Sequence, residues 1–165
     1  AAFEDYFKEE DWNWSSANRI LILGFGSGSI LRTLRNEYNS EAEVVGIESD
    51  QQIIEWYHEY FPNLNVDLKQ CLAQEYIQTE QEPYDLIIVD VFIGLDVPEE
   101  CRSQDFIANL QTLLNVNGLV VLNFVIDKLA HEEQYSDLLL ALSRQFKQVK
   151  AFPQMEINRI ISCKK

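Results

Sequence analysis

Apolar runs of strand length alternate along this chain with segments whose apolar residues recur at helical spacing. The pattern predicts strands over 19–24, 43–48, 64–68, 84–90 and 119–125, with helices over 29–38, 50–60, 73–79, 103–114 and 131–145 between and after them. Asn117-Gly118 reads as the stop signal of the fourth helix. Two further strands, 148–152 and 157–163, are joined through a turn expected at Pro153. So short a connection allows only antiparallel pairing, because a parallel return needs a crossover of about a dozen residues or more. The unbroken runs Leu86-Ile87-Ile88-Val89 and Leu119-Val120-Val121-Leu122 imply strands buried on both faces, as in a parallel sheet covered by helices. The expected architecture is α/β: a doubly wound, mostly parallel sheet with helices on both faces and a C-terminal antiparallel hairpin. Residues 1–18 fall outside the alternation. They form an aromatic and acidic extension, with Phe3, Tyr6, Phe7, Trp12 and Trp14, expected to pack against the sheet edge ahead of a single domain over 19–165.

Composition narrows the classes of function. At 165 residues and 47% hydrophobic, the chain suits one well-filled core. Thirteen basic against 27 acidic residues give a formal charge of -14, a field that repels phosphate backbones and anionic lipid. No nucleic acid and no membrane partner is expected, and no apolar run approaches the roughly 20 residues that span a bilayer. The start is acidic where a secretory signal would be basic, so a cytoplasmic location is expected. Cys71, Cys101 and Cys163 are odd in number and lack CxxC spacing, which predicts reduced, packed thiols and no metal site.

The candidate chemistry lies after the first strand. Gly24-Phe25-Gly26-Ser27-Gly28 permits a sharp strand-to-helix turn and close approach of a ligand to the backbone. Glu48 stands 20 positions after Gly28, at the end of the second strand, where a carboxylate can accept ribose hydroxyls. The pair points to an adenosine pocket. The dinucleotide fingerprint wants its third glycine three positions after the second, whereas here Gly26 is followed by Gly28.

That GxGxG spacing and the reversed hairpin resemble the class I S-adenosylmethionine-dependent methyltransferases, whose Rossmann-like sheet has seven strands. The segment Tyr84 to Gly94, then Val97-Pro98, Asp105-Phe106 and Gly118 to Asn123, is similar to the spermidine-synthase-like branch. The resemblance implies that Asp90, ending the fourth strand, handles an attacking amine, and a carboxylate there can orient a nucleophile or take its proton. It implies a cofactor-binding set of Gly24, Phe25, Gly26, Ser27, Gly28, Glu48, Ser49, Leu72, Ala73 and Asp90. Leu72 stands where the family has an Asp that accepts from the adenine amino group. Ser27 and Ile93 stand where spermidine synthases carry Asp residues facing cationic substrate groups, and eighteen residues cannot form their front β domain.

The departures shape the expected function. The resemblance implies S-adenosylmethionine, or its decarboxylated form, as cofactor and a small-molecule acceptor as partner. Methyl transfer is the favoured reading. Aminopropyl transfer from decarboxylated S-adenosylmethionine and a non-catalytic binding domain are the alternatives, and the oligomeric state is left open. His58 reads as a surface side chain and His131 as the opening of the last helix, neither with a role. Glu99-Glu100 and Glu132-Glu133 read as solvated faces.

Overall fold

The computed structural model describes residues 2–154 and 157–165, with the side chains of 2, 153 and 154 excepted. Seven strands, β1 (Arg19–Leu23), β2 (Glu43–Glu48), β3 (Asp67–Gln70), β4 (Tyr84–Val89), β5 (Leu114–Val125), β6 (Gln148–Gln154) and β7 (Asn158–Lys164), form one sheet in the order β3-β2-β1-β4-β5-β7-β6. The first five are mutually parallel, and β7 runs antiparallel to both β5 and β6. The Rossmann-like methyltransferase fold read from the sequence is therefore present.

Alternation along each central strand divides two apolar layers. Ile20, Ile22, Leu86, Ile88, Leu119 and Val121 pack against residues of α1 (Ala2–Glu9), α2 (Ser29–Tyr38) and α3 (Gln51–Tyr60). Leu21, Leu23, Ile87, Val89, Val120 and Leu122 pack against α4 (Ala73–Thr79), α5 (Gln104–Leu113) and α6 (Leu129–Gln145). Both faces of the sheet are thereby dry at Ile20–Leu23, Leu86–Val89 and Leu119–Leu122, which is why these runs are apolar without interruption. No helix among the described residues is long and apolar enough to cross a membrane.

Several boundaries differ from the sequence pattern for identifiable reasons. The third strand was expected over 64–68, but its ladder with β2 runs from Asp67 to Gln70. Leu64, Val66 and Leu68 are apolar because they pack against the α1–α3 layer, so hydrophobicity there marked packing and not the pairing register. Helix α5 stops at Leu113, and Asn117-Gly118 sits inside β5, where the register with β4 shifts between Tyr84 and Leu86. It is an irregularity of a long strand, not a helix stop. Helix α6 begins at Leu129, two residues before His131. Pro153 lies within β6 opposite Arg159 and does not form the turn. Strand β6 is at the sheet edge, where a residue without an N–H leaves no ladder bond unmade. Residues 155 and 156, between β6 and β7, lie outside the described residues.

The N-terminal extension is part of the packed structure. Helix α1 lies against β6, β7 and α2. Phe3, Tyr6, Phe7 and Trp14 are buried in the same layer as β1, and the Trp14 indole N–H donates to the Phe7 carbonyl at 2.9 Å. The buried Glu10 carboxylate meets Lys164 Nζ at 3.2 Å and accepts from Ser162 Oγ at 3.3 Å, which ties the end of this segment to β7. The segment thus covers a sheet face beside the edge strand, more than the edge alone.

A second carboxylate fastens the N-terminal ends of β1 and β4. Glu80, after α4, accepts hydrogen bonds from the Tyr76 hydroxyl, the Tyr84 hydroxyl (2.9 Å) and the N–H groups of Gln81 (2.7 Å) and Glu82 (2.9 Å). Arg19 Nη2 lies 3.8 Å away. Burial alone would raise its pKa; these hydrogen bonds, led by that from Tyr76, overcome it and hold the group down to about 2. A carboxyl depressed in the folded state contributes stability above its unfolded value, about 4.3 for Glu, and loses it as pH falls toward the folded value. Between pH 5 and pH 2 the stability advantage of the native chain over Glu80→Gln should therefore shrink, as read by urea denaturation at a series of pH values. A constant difference would remove Glu80 as a source of acid sensitivity.

Candidate active site

The crevice opens at the carboxyl ends of β1, β2 and β4, where the chain, having wound outward through β2 and β3, crosses back to β4. This is the switch point at which doubly wound sheets bind ligands. Three backbone bonds draw the strand ends together: Gly24 N–H and Phe25 N–H both donate to Ile47 O (2.9 and 2.8 Å), and Asp90 N–H donates to Leu23 O (2.8 Å). At Gly24, φ is +78°, and a Cβ would stand 2.3 Å from the Asp90 carbonyl oxygen. Only glycine permits so close an approach of the loop to the end of β4. Gly28, φ +76°, is the residue before α2, and a Cβ there would meet the Tyr57 ring at 2.7 Å.

Glu48 does more than wait for a ligand. Its Oε2 accepts from Gly26 N–H at 2.9 Å, and its Oε1 accepts from Ser49 N–H (2.8 Å) and Asp50 N–H (3.0 Å). The carboxylate pins the glycine loop to the β2–α3 junction. Of the roughly four acceptor positions on a carboxylate, three are filled within the protein. One remains, on Oε2, so with the loop as it stands Glu48 has room for one further donor, not the two ribose hydroxyls expected from spacing.

The crevice has a volume of about 370 Å³ and brings together Gly24, Phe25, Gly26, Ser27, Glu48, Ser49 and Asp90 of the expected set. Phe25 presents only its backbone, because its ring is buried against Tyr57 at 4.8 Å between centroids. Three expected residues do not line the space. Gly28 is buried beneath Tyr57, Ala73 is buried in the α4–α6 layer, and Leu72 is 43% exposed on the extended residue that precedes α4. Ile53, Val91 and Phe92 line the crevice and were not singled out from sequence. Val91 and Phe92 belong to the ordinary apolar signal of a strand end, and nothing local distinguished them.

Asp90 sits in a wall. Its Oδ1 accepts from Asn123 Nδ2 at 3.0 Å. Burial pushes the Asp90 carboxyl above its ordinary value, a rise only partly opposed by that hydrogen bond. It borders the crevice on one side and a second, smaller cavity on the other.

The loop after Asp90 is held by groups that the sequence reading left without a role. Ile93 and Asp96 exchange backbone hydrogen bonds (2.9 and 3.2 Å) around Gly94. Asp96 Oδ1 lies 2.9 Å from Lys128 Nζ and 2.6 Å from His131 Nε2, while His131 Nδ1 faces Asp127 Oδ1 at 2.8 Å. His131 is 1% exposed. In the first turn of α6, as expected, it is also a buried strut between the β4 loop and α6, a role set by Asp96, 35 positions earlier. His58 is exposed, as expected, and so are Glu99, Glu100, Glu132 and Glu133. The thiols of Cys71, Cys101 and Cys163 are free, the last two buried.

Because Glu48 both builds the loop and faces the crevice, its loss should act twice. Glu48→Ala strands three N–H donors and should cost about 1–3 kcal/mol of stability, while nucleoside affinity falls in the same variant. Thermal unfolding and calorimetric titration with 5′-methylthioadenosine and S-adenosylhomocysteine check both; an unchanged melting temperature would refute the pinning role.

Comparison with known proteins agrees with this geometry. Residues 12–156 match the spermine/spermidine synthase domain. The polyamine aminopropyltransferase of Vibrio vulnificus is 32% identical over 149 residues, 87% of this chain and 49% of that protein. The probable polyamine aminopropyl transferase of Bifidobacterium longum is 29% identical over 109 residues, 66% of this chain and 24% of its own length. The chain thus spans half or less of these relatives. Among solved structures, a probable spermidine synthase from Corynebacterium glutamicum superimposes with a TM-score of 0.79 at 20% identity, over 99% of this chain and 61% of that one. These names back the aminopropyl alternative better than the methyl transfer favoured from sequence. With a domain match over most of its length and the seven-stranded, reversed-hairpin sheet, this chain belongs to the spermine/spermidine synthase family.

Proposed function

We propose that the crevice binds decarboxylated S-adenosylmethionine and that the protein transfers its aminopropyl group to an amine. The observation that carries this reading is Asp90, a half-buried carboxyl with a raised pKa at the junction of the crevice and a second cavity. An acceptor amine reaches the site mainly as an ammonium ion, which has no lone pair to attack with. A carboxylate in a poorly solvated wall attracts that cation and is a better proton acceptor than an ordinary aspartate. Once the proton is on Asp90, the nitrogen lone pair forms a bond to the propyl carbon next to sulfur. The carbon–sulfur bond breaks, its electron pair stays on sulfur, and the sulfonium becomes the neutral thioether 5′-methylthioadenosine. The alkylated nitrogen remains a secondary ammonium and Asp90 returns its one proton to solvent, so charge and atoms balance. The remaining work is positioning: the pinned glycine loop and Glu48 hold the nucleoside while Asp90 holds the nucleophile.

Methyl transfer from S-adenosylmethionine itself is the second reading, favoured by one observation. Ser27 and Ile93 put no carboxylate at the loop or beyond the end of β4, so the carboxylate of the intact methionine moiety meets no fixed repulsion from them.

The two readings separate in one experiment. Incubation with decarboxylated S-adenosylmethionine and short primary amines should yield 5′-methylthioadenosine and an amine heavier by one aminopropyl group, detected by mass spectrometry. Asp90→Asn should lower kcat/KM about 10²–10⁴-fold. Because the reactive form of Asp90 is ionised and its pKa is raised, the acidic limb of the native pH profile should lie above the ordinary aspartate range and vanish in that variant. A methylated acceptor with S-adenosylmethionine, and no aminopropyl product, would overturn this reading in favour of the second.

A further inference from the structure

His131 is buried in the first turn of α6 with a carboxylate at each ring nitrogen. Nε2 lies 2.6 Å from Asp96 Oδ1, and Nδ1 lies 2.8 Å from Asp127 Oδ1. The Asp127 N–H also approaches Nδ1, at 3.5 Å, and is the longer contact of the two. A neutral imidazole carries one N–H, whereas an ionised carboxylate only accepts. Whichever nitrogen lacked the proton would turn a lone pair on a carboxylate oxygen at hydrogen-bond distance. The imidazolium alone makes both contacts attractive. A buried cation is costly unless it is paired, and here it is paired twice.

The groups that face the ring balance in that form. Asp96 of the β4 loop and Asp127 before α6 each carry a negative charge. His131 and Lys128, whose Nζ is 2.9 Å from Asp96 Oδ1, each carry a positive one. These two partners hold the Asp96 carboxyl below the usual carboxylate range, Lys128 first and His131 after it. From β5 the ring meets Phe124, which is uncharged, at 6.2 Å, and Arg159 of β7 acts on Tyr135, one turn further along α6. Loss of the imidazolium proton leaves the set one negative charge in excess.

What this cluster fixes is a wall of the crevice. The segment 91–96 is tied at its start by the bond from Asp90 N–H to Leu23 O and at its end by the Asp96 side chain. Ile93 and Asp96 exchange backbone bonds across Gly94, φ +66°, so the anchor on Asp96 sets where that turn sits. Ile93 and Leu95 are both exposed, and burial therefore contributes little to holding it. Val91 and Phe92, between the two ties, line the crevice.

We propose that His131 is a positioning residue: as an imidazolium between Asp96 and Asp127 it latches the segment that carries Val91 and Phe92, and loss of its proton slackens that wall and weakens nucleoside binding. The proposal rests on the nucleoside reading of the crevice above and adds a proton-controlled setting of its wall. Such a contribution is complete at acidic pH, while both ring nitrogens are protonated, and is lost as pH rises through the titration of the ring.

Calorimetric titration of the full chain with 5′-methylthioadenosine, an uncharged nucleoside, tests it when paired with nuclear magnetic resonance of the His131 ring and of the Ile93 and Asp96 amides. Both are followed between about pH 5 and pH 8, the range over which histidine changes charge. Affinity should fall roughly two- to tenfold as pH rises, the change worth one hydrogen bond, and the two amides should shift with the same midpoint as the ring. His131→Gln keeps a donor for Asp96 but takes up no proton, so it should bind throughout as the native chain does at the alkaline end. Asp96→Asn alters an exposed side chain, should likewise flatten the dependence, and decides the matter should His131→Gln fail to fold. Measurable native affinity that does not vary with pH overturns the proposal, as do amides that ignore the titration of the ring. A dependence that survives both substitutions belongs to another group, such as Asp90, and overturns it too. Ring and amides that titrate together in a chain that binds no nucleoside at any pH support the latch and sink the nucleoside reading.

Discussion

The contact on which the rest of this structure depends is the approach of β1 to β4 at their carboxyl ends. Asp90 N–H donates to Leu23 O, and Gly24 turns away over the Asp90 carbonyl with no room for a side chain between them. That single juxtaposition puts a flexible-backbone loop and a half-buried carboxyl within one crevice. Parallel pairing of β1 with β4 makes it, because the crossover past β2 and β3 leaves both strand ends on the same rim with no strand beyond them. Apolar layers on both faces keep the rim in place, and the loop hangs from it by Glu48.

Glu48 and Asp90 illustrate how two carboxyls in one crevice come to differ. Glu48 accepts three backbone N–H groups, which commit it to structure. Asp90 receives one side-chain bond and is otherwise desolvated, which works against its charge. Environment, not residue type, separates an acid that holds the backbone from one suited to exchange a proton. Leu72 is 43% exposed and does not line the crevice.

The α1 segment and the β4 loop extend the same theme. Both are fastened by side-chain contacts between distant positions: Glu10 with Lys164, and Asp96 with Lys128 and His131. Without such fastenings a loop that contributes Val91 and Phe92 to a ligand site would be free to leave it, since few apolar contacts hold a segment with Ile93 74% exposed.

Much of this was legible in the chain itself. Period-2 and continuous apolar runs located all seven strands, because burial on one or both faces is a demand each strand makes of its own residues. GxGxG and the acid 20 positions on located the loop and its partner, because backbone conformation and strand-end placement are also local matters. Boundaries failed where an apolar residue served packing instead of pairing, at 64–66, and where a turn signal sat inside a strand, at Asn117-Gly118 and Pro153. Tertiary structure alone decided the rest: that Glu48 is already engaged by Gly26, that His131 is clamped between Asp96 and Asp127, and that Glu4, Asp90 and Asn123 border one cavity. These residues are far apart along the chain, and their meeting follows from how strands order and helices dock. A sequence records what each residue needs from its surroundings, but which distant side chain answers that need is settled only when the layers close.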